Sequence, residues 1–100
     1  MPGSPSPPGF DAAMQRLLAA VRDAGVVDGV PQVQDGSMIW MMRSSQRRIE
    51  LRCRLAGASP EELETNASTL LAALRTVAEV HFQHGYRAGD YVSAVLVYEG

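Results

Sequence analysis

The sequence predicts an α+β domain, two helices packed on a small, mostly antiparallel sheet, in the order α-β-β-α-(β)-β. Three observations carry that prediction. From Arg47 to Leu55, the residues Ile49, Leu51, Cys53 and Leu55 alternate with Arg48, Glu50, Arg52 and Arg54, the period of two that a strand shows when one face is buried and the other is wet. Ser59-Pro60-Glu61-Glu62 reads as a helix start, with an N-cap serine, proline at the first helical position and a capping-box glutamate. Tyr91 to Glu99, Y-V-S-A-V-L-V-Y-E, is apolar on both faces, as a central or covered strand must be.

In chain order, residues 1–9, M-P-G-S-P-S-P-P-G, come first. Pro2, Pro5, Pro7 and Pro8 remove donors and favour extended backbone, so this stretch reads as a flexible arm; the alternative is an arm that orders against a neighbouring subunit. Residues 10–100 read as a single domain. The first helix is expected to begin at Asp11 as N-cap, with Phe10, Met14, Leu17, Leu18 and Val21 at helical spacing. Gly25 is a natural stop. Gly25 to Gly36 holds Pro31, Asp28-Gly29 and Asp35-Gly36 and reads as turns, with room for a short extended piece at Val30 to Val33.

Ser37 to Arg43, S-M-I-W-M-M-R, reads as a strand covered on both sides, forming an antiparallel hairpin with Arg47 to Leu55 across the polar break Ser44-Ser45-Gln46. In the second helix, Leu63, Ala67, Leu70, Leu71, Leu74, Val77 and Ala78 make one apolar stripe, opposite Glu64, Asn66, Ser68, Thr69, Ala72 and Arg75. Glu61, Glu62 and Glu64 suit the positive end of that helix. Val77 to Phe82 fits either the end of a helix or the beginning of a strand. Gly85 and Arg87 to Asp90 read as a turn. No repeat and no second domain are visible.

Composition bounds function. A chain of 100 residues is one domain, and 46% apolar with 20% charged residues is ordinary for a globular protein. A formal net charge of −2 gives no overall drive toward nucleic acid or anionic membrane. No apolar run reaches the length of a membrane span and the N-terminus has no signal pattern, so a cytoplasmic protein is expected. All nine basic residues are arginine, which base composition of the gene explains more readily than selection for planar, bidentate contacts.

Candidate chemistry is sparse. Cys53 falls on the apolar side of its strand and reads as a buried free thiol. His81 and His84 would point to opposite sides of a regular strand, and zinc would need further ligands; no metal and no cofactor is expected. Glu50 stands among arginines in the sequence, which argues for a salt-bridged strand face and against a general acid. The glycines form no phosphate-binding loop. An enzyme is therefore not expected. What remains is the arginine group, with Arg43, Arg47, Arg48, Arg52 and Arg54 around Glu50, and the apolar group with Trp40 at its centre. The plain reading is a solvated strand face beside core methionines. The functional reading is a protein interface, since arginine and tryptophan are enriched there. Nucleic acid is unlikely, because that reading wants aromatics interleaved with the basic residues and this strand has none. Surplus apolar strand surface points to a homo-oligomer.

The order of parts, with Ser59 to Leu74 (S-P-E-E-L-E-T-N-A-S-T-L-L-A-A-L) and the closing Val97-Tyr98-Glu99, resembles the tail-terminator (tail-completion) proteins of long-tailed bacteriophages. The likeness covers roughly residues 10–100 and lies in pattern; the chain is shorter than typical members and lacks most of the loop after the first helix. The resemblance implies a structural virion component, a ring subunit, typically hexameric, that caps the tail tube and joins it to the head. It implies no catalytic residue, and it makes the arginine strand and the proline arm contacts to other subunits, to the tail tube or to head-connector proteins. The alternative is a small monomeric inhibitor or adaptor that binds a host protein through Arg47 to Arg54.

Overall fold

The computed structural model describes residues 10–35 and 46–99. Its elements run α1 (Phe10–Ala24), β1 (Gln32–Asp35), β2 (Gln46–Arg54), α2 (Pro60–Arg75), β3 (His81–Ala88) and β4 (Tyr91–Glu99). The class is the one the sequence predicts and the order of elements matches it roughly: the bracketed strand is present as β3, and the first strand is Gln32–Asp35. The four strands form one antiparallel sheet in the order β1-β2-β4-β3. Each helix precedes an antiparallel strand pair, so the architecture is two αββ halves joined along the β2–β4 seam, a repetition of shape that residue identities do not reveal.

Both helices lie on one face of the sheet. From α1, Ala13, Leu17 and Val21 enter the core; from α2, Ala67, Leu70 and Leu74; from β2, Ile49, Leu51, Cys53 and Leu55; from β4, Val92, Ala94, Leu96 and Tyr98. Leu17, Ile49, Leu70 and Leu96 have no exposed surface, and each such side chain contributes about 1.5–3 kcal/mol relative to leaving it in water. The alternation in β2 is thus the alternation of two environments: core on the odd-numbered residues and the opposite sheet face on Arg48, Glu50, Arg52 and Arg54.

Local chemistry sets the helix ends. Gly25 has φ of +68°, a conformation that costs glycine nothing, and its N–H donates to the Arg22 carbonyl at 3.1 Å. At the start of α2 the Ser59 hydroxyl accepts from the Glu62 N–H at 3.2 Å. The Glu62 carboxylate accepts from Ala58 N–H at 2.7 Å, one residue earlier than the usual reciprocal partner in a capping box. Asn66, expected on the wet side of α2, instead donates its side-chain amide to the Ala56 carbonyl at 2.6 Å and ties the helix to the loop that precedes it.

Several boundaries differ from the sequence reading. The first helix starts at Phe10, so Asp11 sits in its first turn and not at the cap; a carboxylate there still suits the helix dipole. The strand beside β2 is Gln32–Asp35, two residues beyond the extended piece read at Val30 to Val33. The predicted strand Ser37 to Arg43 and the proline arm lie outside the described residues. Arg75 ends α2, Val80 is buried, and the strand begins at His81, which resolves Val77 to Phe82 into a turn followed by strand. That strand passes straight through Gly85 and Arg87, and the turn is confined to Gly89-Asp90. Gly85 is permitted in mid-strand because α2 crosses it closely: a Cβ there would lie 2.8 Å from Leu71 Cδ2 and 3.2 Å from the Ser93 carbonyl oxygen.

Candidate functional site

No described element covers the second face of the sheet, and it carries the arginines. Strand register places its side chains in rows. Gln34, Glu50, Val95 and His84 form one row across the sheet, and Gln32, Arg52, Ser93 and Tyr86 form the next. Arg54 stands opposite Tyr91 and Ala88, and Arg48 opposite Val97 and His81. The face is therefore polar and charged toward β1 and β2, and partly aromatic and aliphatic toward β4 and β3.

Its arginines are held differently. Arg54 Nε lies 3.1 Å from Asp90 Oδ2, while the Asp90 carbonyl accepts from Leu55 N–H at 2.6 Å; this pair clamps the β3–β4 turn to the end of β2. The pair is well exposed, so it contributes at most about 1 kcal/mol. Arg52 reaches past its direct partner Ser93 and lies over the Tyr91 ring, 4.6 Å from the centroid. Arg48 and Arg52 have no carboxylate, and Glu50 no cation, within ion-pair distance among the described residues. Two shallow hollows share Gln32 and Arg52. One, of about 310 Å³, is lined by Asp28, Arg54 and Tyr91; the other, of about 340 Å³, by Glu50, Tyr86 and Ser93. Tyr86 stands 59% exposed at the rim of the second.

The structure divides the sequence-predicted group. Arg48, Glu50, Arg52 and Arg54 share the open face. Arg47 pairs with Tyr98 and by strand alternation lies on the helix side, half-buried. Arg43 and Trp40 lie outside the described residues. Sequence reasoning missed Tyr86 and Tyr91, which sit on other strands; the signal that finds them is the pairing of the last strand with the arginine strand. The absence of aromatics from β2 therefore does not hold as an argument against nucleic acid once the face is assembled. What still weighs against it is Glu50 among the arginines, Arg54 already engaged by Asp90, and the overall acidity of the chain.

The histidines also move. The β3–β4 register shifts between Phe82 and His84, and this bulge at Gln83 adds one residue to β3. His81 then faces Val97 and His84 faces Val95, so both lie on the open face and not on opposite sides. Among the described residues no three His, Cys, Asp or Glu side chains gather as a metal site. Cys53 is 1% exposed, and burial pushes its thiol up to about 11, which leaves little thiolate at neutral pH.

On the helix side an apolar groove of about 510 Å³ runs between α1 and residues 25–33, lined mainly by Met14, Leu18, Val21, Val27, Pro31 and Val33. Met14 and Leu18, placed at helical spacing in the sequence, are partly buried and form one wall of it. Among the described residues no helix is long and apolar enough to cross a membrane. The chain matches no protein-family model, no curated protein and no solved structure.

Proposed function

We propose that this chain is a non-enzymatic interaction protein that self-associates through the open face of its sheet, as a subunit of a phage tail-terminator-like ring that acts in the host cytoplasm and then in the virion. One observation carries the reading: no described element lies over the second face of the sheet, which presents Arg48 and Arg52 with no carboxylate partner among the described residues, beside Tyr86, Tyr91 and Val95. Arginines next to apolar and aromatic surface are the composition of protein interfaces. A merely solvated face would not need half-buried Val95 or an exposed Tyr86 among its charges. The chemistry of the face is charge pairing, hydrogen bonding and aromatic contact, which bind without transforming.

The test is the mass of the full chain in solution, by light scattering over a range of concentrations. A discrete oligomer, hexameric if the phage resemblance holds, or a concentration-driven approach to one, is expected. A monomer at every concentration overturns self-association. It would assign the same face to a host protein, as in the inhibitor or adaptor alternative.

A further inference from the structure

We propose that the arginine face of one copy receives the acidic first turns of α2 from the next copy, so that the chain assembles head to tail. The inference rests on the self-association proposed above and names its contact.

Charge defines the two surfaces. On the sheet, Arg48 and Arg52 are the arginines left to bind, since Arg54 is held by Asp90. On the helix layer, Glu62 is occupied at the cap, accepting from Ala58 N–H, whereas Glu61 and Glu64 are exposed with no ion-pair partner among the described residues. They are three residues apart, hence neighbours on the helix surface. Arginine forks match such carboxylates bidentately.

Shape agrees with charge. Leu63, Ala67, Leu70 and Leu74 turn α2 toward the sheet, which leaves Glu61, Thr65, Ser68 and Ala72 along its outer side, all exposed. Beyond the carboxylate this outer stripe is small, so the helix can lie close to a sheet face on which Tyr86 is exposed. Symmetry then decides the mode. A two-fold dimer brings the same patch of both copies together. Here the two complementary patches lie on opposite layers, so each contact uses the sheet of one copy and the helix of the other. A free patch of each kind remains, and repetition closes a ring or continues as a filament.

The experiment uses two charge-reversed variants of the full chain, R48E/R52E and E61R/E64R, checked for native fold by circular dichroism and sized by light scattering. Each alone is expected to be monomeric. Mixed in equal amounts they should assemble again, because the intact arginine face meets the intact acidic turn and the reversed sheet, now glutamate, meets the reversed helix, now arginine, so that the two variants alternate along the assembly. E61Q/E64Q, which adds no positive charge at the helix start, should weaken association about tenfold or more. If R48E/R52E is monomeric while E61R/E64R and E61Q/E64Q assemble like the wild type, the open face still mediates assembly but α2 is not its partner, and the inference falls alone. A mixture that stays monomeric also overturns it. A monomeric wild type removes both the inference and the function it rests on.

Discussion

The guanidinium carbon of Arg52 lies 4.6 Å from the centre of the Tyr91 ring, reached diagonally across the β2–β4 seam. The contact holds a long side chain that lines both hollows. Because Arg52 is exposed, the contact should stabilise the fold by no more than about 1 kcal/mol. Its consequence is for binding. Tyr91→Phe should leave assembly unchanged, since the ring face and not the hydroxyl holds Arg52, while Tyr91→Ala should weaken it. Sedimentation velocity on the two variants decides; identical behaviour would dismiss the ring from any such role.

Gly85 lies under α2 with no room for a side chain. Gly85→Ala should lower stability by about 1–3 kcal/mol through overpacking against Leu71 and the β4 backbone, read as a lower urea midpoint with unchanged slope. Gly89→Ala provides a contrast: space is open there, but φ is +64°, so a loss of about 1 kcal/mol would come from backbone strain.

Ser59 holds the first turn of α2 with one side-chain acceptor. Ser59→Ala should cost about 1 kcal/mol, and Ser59→Asp should retain most of the stability. If both variants melt with the wild type, the cap contributes nothing measurable.

The Cys53 thiol is held near 11 by burial, above its ordinary value. Its folded form therefore favours the neutral thiol, and the stability this brings is complete below pH 9 and lost as pH rises from 9 through 11, by up to about 2–3 kcal/mol. Other groups titrate in that range, so the readout is the difference between wild type and Cys53→Ala: the wild type should lose more stability across it. In the native state at pH 7 the thiol should resist alkylating reagents, and it should react promptly in denaturant.

Tyr86 and Tyr91 beside the arginines make single-stranded nucleic acid the chemical competitor for this face. Fluorescence anisotropy with a labelled oligonucleotide at physiological salt should show no binding. Tight binding that falls steeply with salt and is lost in R48E/R52E would instead assign the face to nucleic acid.

Much of the fold was legible because it depends on short-range pattern. The β2 alternation, the Ser59 cap and the Gly25 stop each encode a local preference that packing then respects. The misreadings have physical causes. Gly85 looks like a turn residue, yet its small size serves the approach of α2, a contact that no local window contains. His81 and His84 looked opposed because period two assumes a regular strand, and one bulged residue at Gln83 reverses the parity. Asn66 looked solvent-facing because helical periodicity says nothing about the loop that turns back beside it. At the site, the charged half was legible from one strand; the aromatic half required knowing that β2 and β4 are neighbours.

That seam has a kinetic side. β4 follows every other element in the chain and yet lies inside the sheet, pairing Gln46 with Glu99 at one end and Arg54 with Tyr91 at the other. Until β4 is in place, the nine residues of β2 have one short neighbour, and the apolar row Ile49 to Leu55 lacks the strand that flanks it. The longest pairing in the sheet, β2 with β4, is thus deferred to contacts between residues far apart in sequence, the kind that slow folding. A nascent chain released only as far as Gly89 would hold an incomplete layer with its longest strand unpaired on one edge, a template for another chain's strand. The half-made protein is then more adhesive than the finished one, and the arrival of Tyr91 to Glu99 is the step that ends its exposure.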